Sequence, residues 1–411
     1  MYRLLHKFLT LLFLFFGNTI FASGDTVNYN DYADENAITL IFAGDVMQHS
    51  TQFTGARRAD GVYDFGPCFR LVKDEIQSAD LAVANLEVPL GGKPYSGYPA
   101  FSAPDEIAMD LKNTGFDVLV TANNHSCDRG ANGVGRTINI LDSFGITHTG
   151  MFHNKKERAE KYPVILTVKN FKIAILNCTY GTNGMSANPL LVNRIDSAQI
   201  IEDIKAAKIS APDIIIMYIH WGDEYARYPN DEQKRLTDMF FRNGVNLVIG
   251  AHPHVIQPME KRYSSNGRCD KLVAYSLGNF VSNQPWANTN GGALLKVSLV
   301  KDEISTRISW AGYNLIWVYK PKEDGRTRHY ILPAADYEHN TEMLSAPTTL
   351  RILESSRTTQ GTFLNELEIF VTNARKLLNN HNIGIGEYRI LPPRRKVERL
   401  QRIESELVKI Q

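Results

Sequence analysis

The chain has 411 residues, a net charge of +1, 43% hydrophobic residues and 22% charged residues. That balance is ordinary for a globular protein and gives no reason to expect a nucleic acid or an anionic membrane as partner. An anionic substrate, if there is one, has to be held by local cations or metal ions.

At the N-terminus, Arg3 and Lys7 lead into an almost purely apolar run at 8–16. Ala22-Ser23-Gly24 then supplies small residues ahead of an acidic, turn-rich stretch at 25–36. This layout predicts a secretory signal peptide over 1–24, too short for a comfortable transmembrane helix. Export to the periplasm or the outside follows, with no membrane span left after cleavage; an uncleaved N-terminal anchor is the alternative. Residues 1–24 contain no cysteine, so lipid attachment at the cleavage point is not expected. Cys68, Cys127, Cys178 and Cys269 are widely spaced, and a domain this large can bury a core without disulfides.

Beyond the leader, apolar runs and helical patterns alternate. The run 38–42 reads as a strand, 69–77 as a helix, 81–84 as a strand, 104–113 as a helix and 116–121 as a strand. A helix over 133–144 follows, then a strand at 171–177, a small-residue loop at 181–188, a helix at 200–208 and a β-branched strand at 214–219. A helix at 231–242 and a strand at 245–249 repeat the unit. Further strands are expected at 272–275, 292–300 and 304–316, with a basic turn at 325–329. Beyond about 340 the spacing turns helical, at 348–354, 363–378 and 396–407. The reading is therefore an α/β domain over 25–339 and a peripheral helical extension over 340–411.

Polar signatures stand at or just after the ends of the apolar runs. They are Gly44-Asp45-Val46-Met47, Asn85-Leu86-Glu87, Asn123-Asn124-His125, His220-Trp221-Gly222 and Gly250-Ala251-His252-Pro253-His254. In open α/β sheets, ligands collect beyond the carboxyl ends of strands. Carboxylates, imidazoles and Asn carbonyl oxygens suit Mn, Zn, Fe or Mg, and a set without cysteine disfavours a structural thiolate zinc site. One or two divalent ions are expected, and Glu87 is the candidate to be shared where there are two. Asp45, Asn124, His220, His252 and His254 are candidates for the other positions. In extended backbone, His252 and His254 would point the same way across Pro253. His125 is either a further ligand or a general acid just outside, and Asp128 is the nearest group to orient its ring. Arg129, Arg136 and Arg227 lie beside signature loops and are candidate clamps for phosphate or carboxylate. Trp221 and Tyr225 either wall the cleft or, for Trp221, pack beneath it. Gly278 and Asn279 are read as shaping a loop near the metals, with Asn279 a candidate substrate contact. Ser276 lacks the Gly-x-Ser-x-Gly setting of a nucleophile, and no glycine-rich nucleotide cradle occurs.

Six segments in order, from Phe42-Ala43-Gly44-Asp45-Val46-Met47 through Tyr275-Ser276-Leu277-Gly278-Asn279-Phe280, make the region 38–299 resemble the capsule biosynthesis protein CapA family. That family is associated with poly-gamma-glutamate capsules, and its fold is similar to that of calcineurin-like metallophosphoesterases. The resemblance implies a four-layer fold, two central mixed β-sheets flanked by helices. It also implies Asp45, Glu87, Asn124, His220, His252 and His254 as metal ligands, with His125 assisting the chemistry. Met47 stands where the phosphoesterase pattern has a histidine, which makes His49 a candidate replacement. Glu87 stands where that pattern has an aspartate.

The activity implied is metal-assisted hydrolysis of a phosphoester or polyanionic cell-surface substrate by an exported enzyme. Two alternatives stand beside it. One is a non-catalytic capsule assembly or polymer-binding protein that works with capsule-synthesis machinery on poly-gamma-glutamate. The other is a hydrolase of gamma-glutamyl or peptidoglycan amides.

Overall fold

The computed structural model describes residues 35–303, 305–337 and 360–389. The expected signal peptide at 1–24 and the expected helices at 348–354 and 396–407 lie outside the described residues.

Two mixed sheets form the centre. In the larger sheet, the strand Ala37–Val46 pairs in parallel with Leu81–Leu86, which leads on to Val118–Val120 and Thr147–Thr149. On its other side it runs antiparallel to Gly291–Lys301, followed by Thr306–Tyr319 and Tyr330–Pro333. The six-stranded sheet has Phe171–Thr179, Ile214–His220, Leu247–Ala251 and Cys269–Ala274 in parallel at its centre, with antiparallel strands at both edges.

Side-chain alternation sorts these strands into layers. Ile38, Leu40 and Phe42 join Ile214, Ile216 and Tyr218 in one cluster between the sheets. The intervening Ile41 and Ala43 face outward, onto Ile107, Ala108 and Leu111 of the helix Glu106–Thr114. Ile215, Met217 and Ile219 face the other way, onto Ile200 and Ile204 of Ser197–Ile209 and Leu236 and Phe240 of Asp231–Arg242. Helices, sheet, sheet and helices thus make the four layers that the family resemblance implies. Both faces of the central strands are covered, so those strands read as continuous apolar runs rather than alternating ones.

Some boundaries differ. The single helix expected at 69–77 is two short helices, Gly66–Phe69 and Lys73–Gln77, with the chain turning at Arg70–Val72. Of the segment beyond 340, the described residues contribute to the main fold: in the helix Gln360–His381, Leu367, Phe370, Val371, Ala374 and Leu378 belong to the inter-sheet core. Gly386–Glu387 then pairs with the strand Thr306–Tyr319. The four cysteines are unpaired, and Cys127 is a buried side chain packed with Val134 and Ile138. No helix among the described residues is long and apolar enough to cross a membrane.

The strand ends converge through close backbone contacts. Asp45 is in register with Asn85, and His220 with both Ala251 and Thr179. A Cβ at Gly44 would come within 1.9 Å of the Gly278 carbonyl oxygen, so a glycine there lets the two chains touch. Gly44→Ala is expected to cost about 1–3 kcal/mol by forcing these backbones apart. A lowered urea midpoint with an unchanged slope would register it, and an unchanged midpoint would refute the contact's importance.

Candidate metal centre

Asp45, Glu87, Asn124, His220, His252 and His254 are all buried and meet at the carboxyl ends of five strands. One ligand atom each from Glu87, His252 and His254 lies within 4.8 Å of the others, and the same holds for Asp45, Glu87 and His220. Glu87 belongs to both groups, which is the shared position read for it from the sequence. Its Oε1 is 3.5 Å from His220 Nε2 and 3.7 Å from His254 Nε2. His220 Nε2 is also 2.9 Å from Asn124 Oδ1.

The hydrogen bonds around His254 assign its tautomer. Asn279 donates its amide to Gln284 Oε1 and the Thr289 carbonyl, which turns Asn279 Oδ1 toward His254 Nδ1 at 3.1 Å. Asp45 Oδ2 lies 3.1 Å from the same nitrogen. Nδ1 facing two acceptors carries the proton, so the Nε2 lone pair faces Glu87. Asn279 is therefore a positioning residue for His254 rather than a substrate contact.

His252 and His254 come together by a route that extended backbone would not provide. Their φ angles are +99° and +58°, both in the left-handed region, and their rings lie 6.0 Å apart. Such non-glycine conformations cost on the order of 1–3 kcal/mol each and cluster at functional sites.

The electrostatics of the cluster favour a cation. Burial, followed by the Asp45 carboxylate, pushes Glu87 well above the usual carboxylate range. Burial, followed by neighbouring imidazoles, holds His220 well below its ordinary value and His252 down to about 3. Neutral imidazole is the form that ligates metals. Both Glu87 oxygens and His252 Nδ1 are buried without a hydrogen-bond partner. Among the described residues, the ion-pair partners of Asp45 and Glu87 are histidines alone. Two adjacent buried carboxylates with no fixed cation are unfavourable by themselves, and a divalent ion supplies the missing charge. The donor set present fits such an ion.

His125 follows Asn124 directly. Its Nδ1 is 2.8 Å from Asp128 Oδ2, which also accepts from the Phe101 backbone N–H at 2.8 Å. The ring meets Phe101 edge-on at 4.7 Å. Asp128 thus orients the imidazole rather than capping the helix Gly130–Ser143, whose cap is Arg129.

The other expected site residues surround the cluster or make separate contacts. His49 is the N-cap of the helix Ser50–Ala56, its backbone N–H donating to Gln52 Oε1 at 2.8 Å; its Nδ1 lies 3.2 Å from Gln52 Oε1 and 3.3 Å from the Asn283 nitrogen, and it is in neither ligand group. Trp221 is buried beneath the site, stacked on Phe240 and Tyr275, with its indole N–H donated to the Tyr275 carbonyl at 2.9 Å. Arg129 donates to the Pro94 carbonyl, Arg227 to the Asn373 carbonyl, and Arg136 pairs with both oxygens of Asp105. Tyr225 does stand at the mouth, 6.2 Å from the His254 ring.

Two residues went unassigned in the sequence reading. Asn85 donates to Asp45 Oδ1 at 2.8 Å and so orients that carboxylate. It belongs to a signature but had no role there. Tyr180, 4.5 Å from the His252 ring, follows the end of the strand Phe171–Thr179. That strand-end position is the signal that would have found it.

Comparison with known proteins places this geometry in context. The family described as "Bacterial capsule synthesis protein PGA_cap" matches residues 39–284. The "PGA biosynthesis protein CapA" of Bacillus subtilis (strain 168) is 30% identical over 288 residues, 68% of this chain and 72% of that protein. The "Capsule biosynthesis protein CapA" of Bacillus anthracis is 28% identical over 288 residues, and the match spans 65% of each protein. Among solved structures, the calcineurin-like phosphoesterase YfkN from Bacillus subtilis aligns with a TM-score of 0.42 at 13% identity, over 82% of this chain and 99% of that one.

Proposed function

The chain belongs to the bacterial capsule synthesis protein family, and from that membership we propose that it is an exported, metal-dependent hydrolase of a phosphoester in a cell-surface polymer. The observation that carries the reading is Glu87: a buried carboxylate with neither oxygen hydrogen-bonded, set between His220 and His254 and beside Asp45.

Asp45, Glu87, Asn124, His220, His252 and His254 would hold one or two divalent ions. A bound ion there lowers the pKa of a water and polarises the phosphoryl oxygens. The protein's own contribution is placement and proton handling. Asn85 and Asn279 fix Asp45 and His254 through hydrogen bonds, so the donors need little rearrangement when loaded. As the water oxygen bonds to phosphorus and the ester P–O bond breaks, the departing oxygen needs a proton. His125 can deliver it from Nε2, because Asp128 holds Nδ1.

Metal analysis followed by turnover assays tests the reading. Purified protein should carry divalent metal, lose turnover of aryl phosphates or phosphodiesters on chelation, and regain it with Mn, Zn, Fe or Mg. A folded protein that binds none of these ions and turns over no phosphoester after reconstitution would overturn it.

A further inference from the structure

The candidate ligands are divided between the two sheets. Asp45, Glu87 and Asn124 lie at or just beyond the ends of Ala37–Val46, Leu81–Leu86 and Val118–Val120 in the larger sheet. His220, His252 and His254 lie at or just beyond the ends of Ile214–His220 and Leu247–Ala251 in the six-stranded sheet. Each of the two groups of ligand atoms draws on both sheets, so an ion there depends on how the sheets are placed against each other. The layer between them is apolar. Apolar burial is non-directional and does not by itself fix such a spacing.

Two side chains of the six-stranded sheet cross that layer with hydrogen bonds. Tyr218, buried two residues before His220, donates its hydroxyl to the carbonyl of Ala43, two residues before Asp45. Asn177, buried in the neighbouring strand Phe171–Thr179, accepts at Oδ1 from the Ala122 N–H at 2.7 Å and the Thr121 N–H at 3.2 Å. Ala122 stands two residues before Asn124. The Asn177 amide donates in turn to the Tyr218 carbonyl at 2.9 Å, and the two residues are in register across paired strands. Main-chain donors on one side and a carbonyl on the other fix the orientation of the amide. Gly150 makes room for this contact: a Cβ there would lie 2.2 Å from Asn177 Oδ1 and 2.4 Å from the Ala122 nitrogen. A buried polar network with its partners in place rigidifies a core and specifies one arrangement of it.

We propose that Asn177 and Tyr218 are positioning residues for the metal centre: together they form a buried hydrogen-bonded bridge that fixes the spacing between the two halves of the ligand set, and so sets its affinity for divalent ions. Neither side chain touches a ligand side chain in this role. Each holds the main chain that carries one, Tyr218 at the base of Asp45 and Asn177 at the base of Asn124. The bridge rests on the metal-binding part of the proposed function and on no choice of substrate or bond.

The test is calorimetric titration of the metal-free full chain with Mn or Zn, beside thermal melts of the same metal-free proteins. Tyr218→Phe removes one hydroxyl and keeps the ring, and should weaken metal binding about tenfold, the low end for groups that orient ligands. Asn177→Ala should weaken it by about 10–100-fold, the full range for such groups. Asn246→Ala is the comparison. Asn246 makes the same kind of link at the opposite end of the six-stranded sheet, accepting from the Ile215 N–H at 2.9 Å and donating to the Asp270 carbonyl at 3.2 Å. Its loss should lower the melting temperature and leave metal affinity within about twofold of wild type, as for a site independent of the ligands. Unchanged affinity in Asn177→Ala and Tyr218→Phe, or an equal loss in Asn246→Ala, would overturn the proposal. Should Asn177→Ala not fold, the comparison of Tyr218→Phe with Asn246→Ala decides alone. A wild type that binds neither ion would overturn the metal reading and the bridge with it. Metal binding without phosphoester turnover would count against the hydrolase reading alone.

Discussion

Glu87→Gln is expected to abolish stabilisation of the protein by divalent ions. An ion at one hundred times its dissociation constant stabilises the native state by about 2.7 kcal/mol. In a chain of this size that raises the melting temperature by about 5 °C. Glu87 is the one residue common to both groups of ligand atoms, so removing its charge weakens every position in the cluster at once. The metal-free proteins should differ in the opposite sense. Burial and Asp45 raise the folded-state pKa of Glu87, so folding favours its protonated form. The Glu87 contribution to metal-free stability is therefore fully present below the unfolded carboxylate pKa of about 4.3 and is lost progressively as pH rises toward the folded value, so the difference between wild type and Glu87→Gln isolates it. Glutamine has no such dependence. Thermal melts of both proteins, with and without Mn, across pH 4 to 8 (about the span over which a raised carboxylate titrates), measure both effects. Equal stabilisation of wild type and Glu87→Gln by Mn would place the ion elsewhere.

The centre was legible in the sequence to the extent that buried parallel strands advertise their ends. A continuous apolar run followed by Asp45, Glu87, Asn124, His220 or His252 identifies a polar residue at a carboxyl edge, and sheet architecture gathers such edges. What a run cannot disclose is register and direction. His220-Trp221-Gly222-Asp223-Glu224-Tyr225 reads as one motif, yet Trp221 turns into the core on Phe240 while Tyr225 reaches the mouth. His49 is a candidate ligand because Met47 stands where the phosphoesterase pattern has a histidine, but a cap at the start of Ser50–Ala56 engages it locally. The left-handed turn at His252 and His254 was likewise hidden, since glycine or asparagine is the usual occupant of such backbone. Arginines beside polar loops resembled clamps, and carbonyls distant in sequence hold them instead. For the helix Gln360–His381 the periodicity was readable, but its destination was not: an apolar stripe fits an outer face or an inter-sheet core equally well.

His125→Asn is expected to lower kcat by about 10²–10⁴-fold on phosphoesters with poor leaving groups, the range for loss of a positioned general acid. The size of the loss should depend on the leaving group. An alkoxide needs a proton as the P–O bond breaks, whereas a nitrophenolate leaves without one, so the same variant should approach wild-type rates on aryl esters of acidic phenols. Metal content should be unchanged, because Asn124 and the cluster residues supply the donors while the His125 ring is tied to Asp128 and Phe101. Asp128→Asn tests orientation separately from proton transfer. An amide keeps a polar partner near Nδ1 and can still accept from the Phe101 N–H, so the ring stays roughly in place. Its kcat should therefore fall less than that of His125→Asn, with bound metal unchanged. A uniform loss in His125→Asn across leaving groups, or a loss of bound metal, would assign the ring to ligation instead, the other role its place beside Asn124 allows.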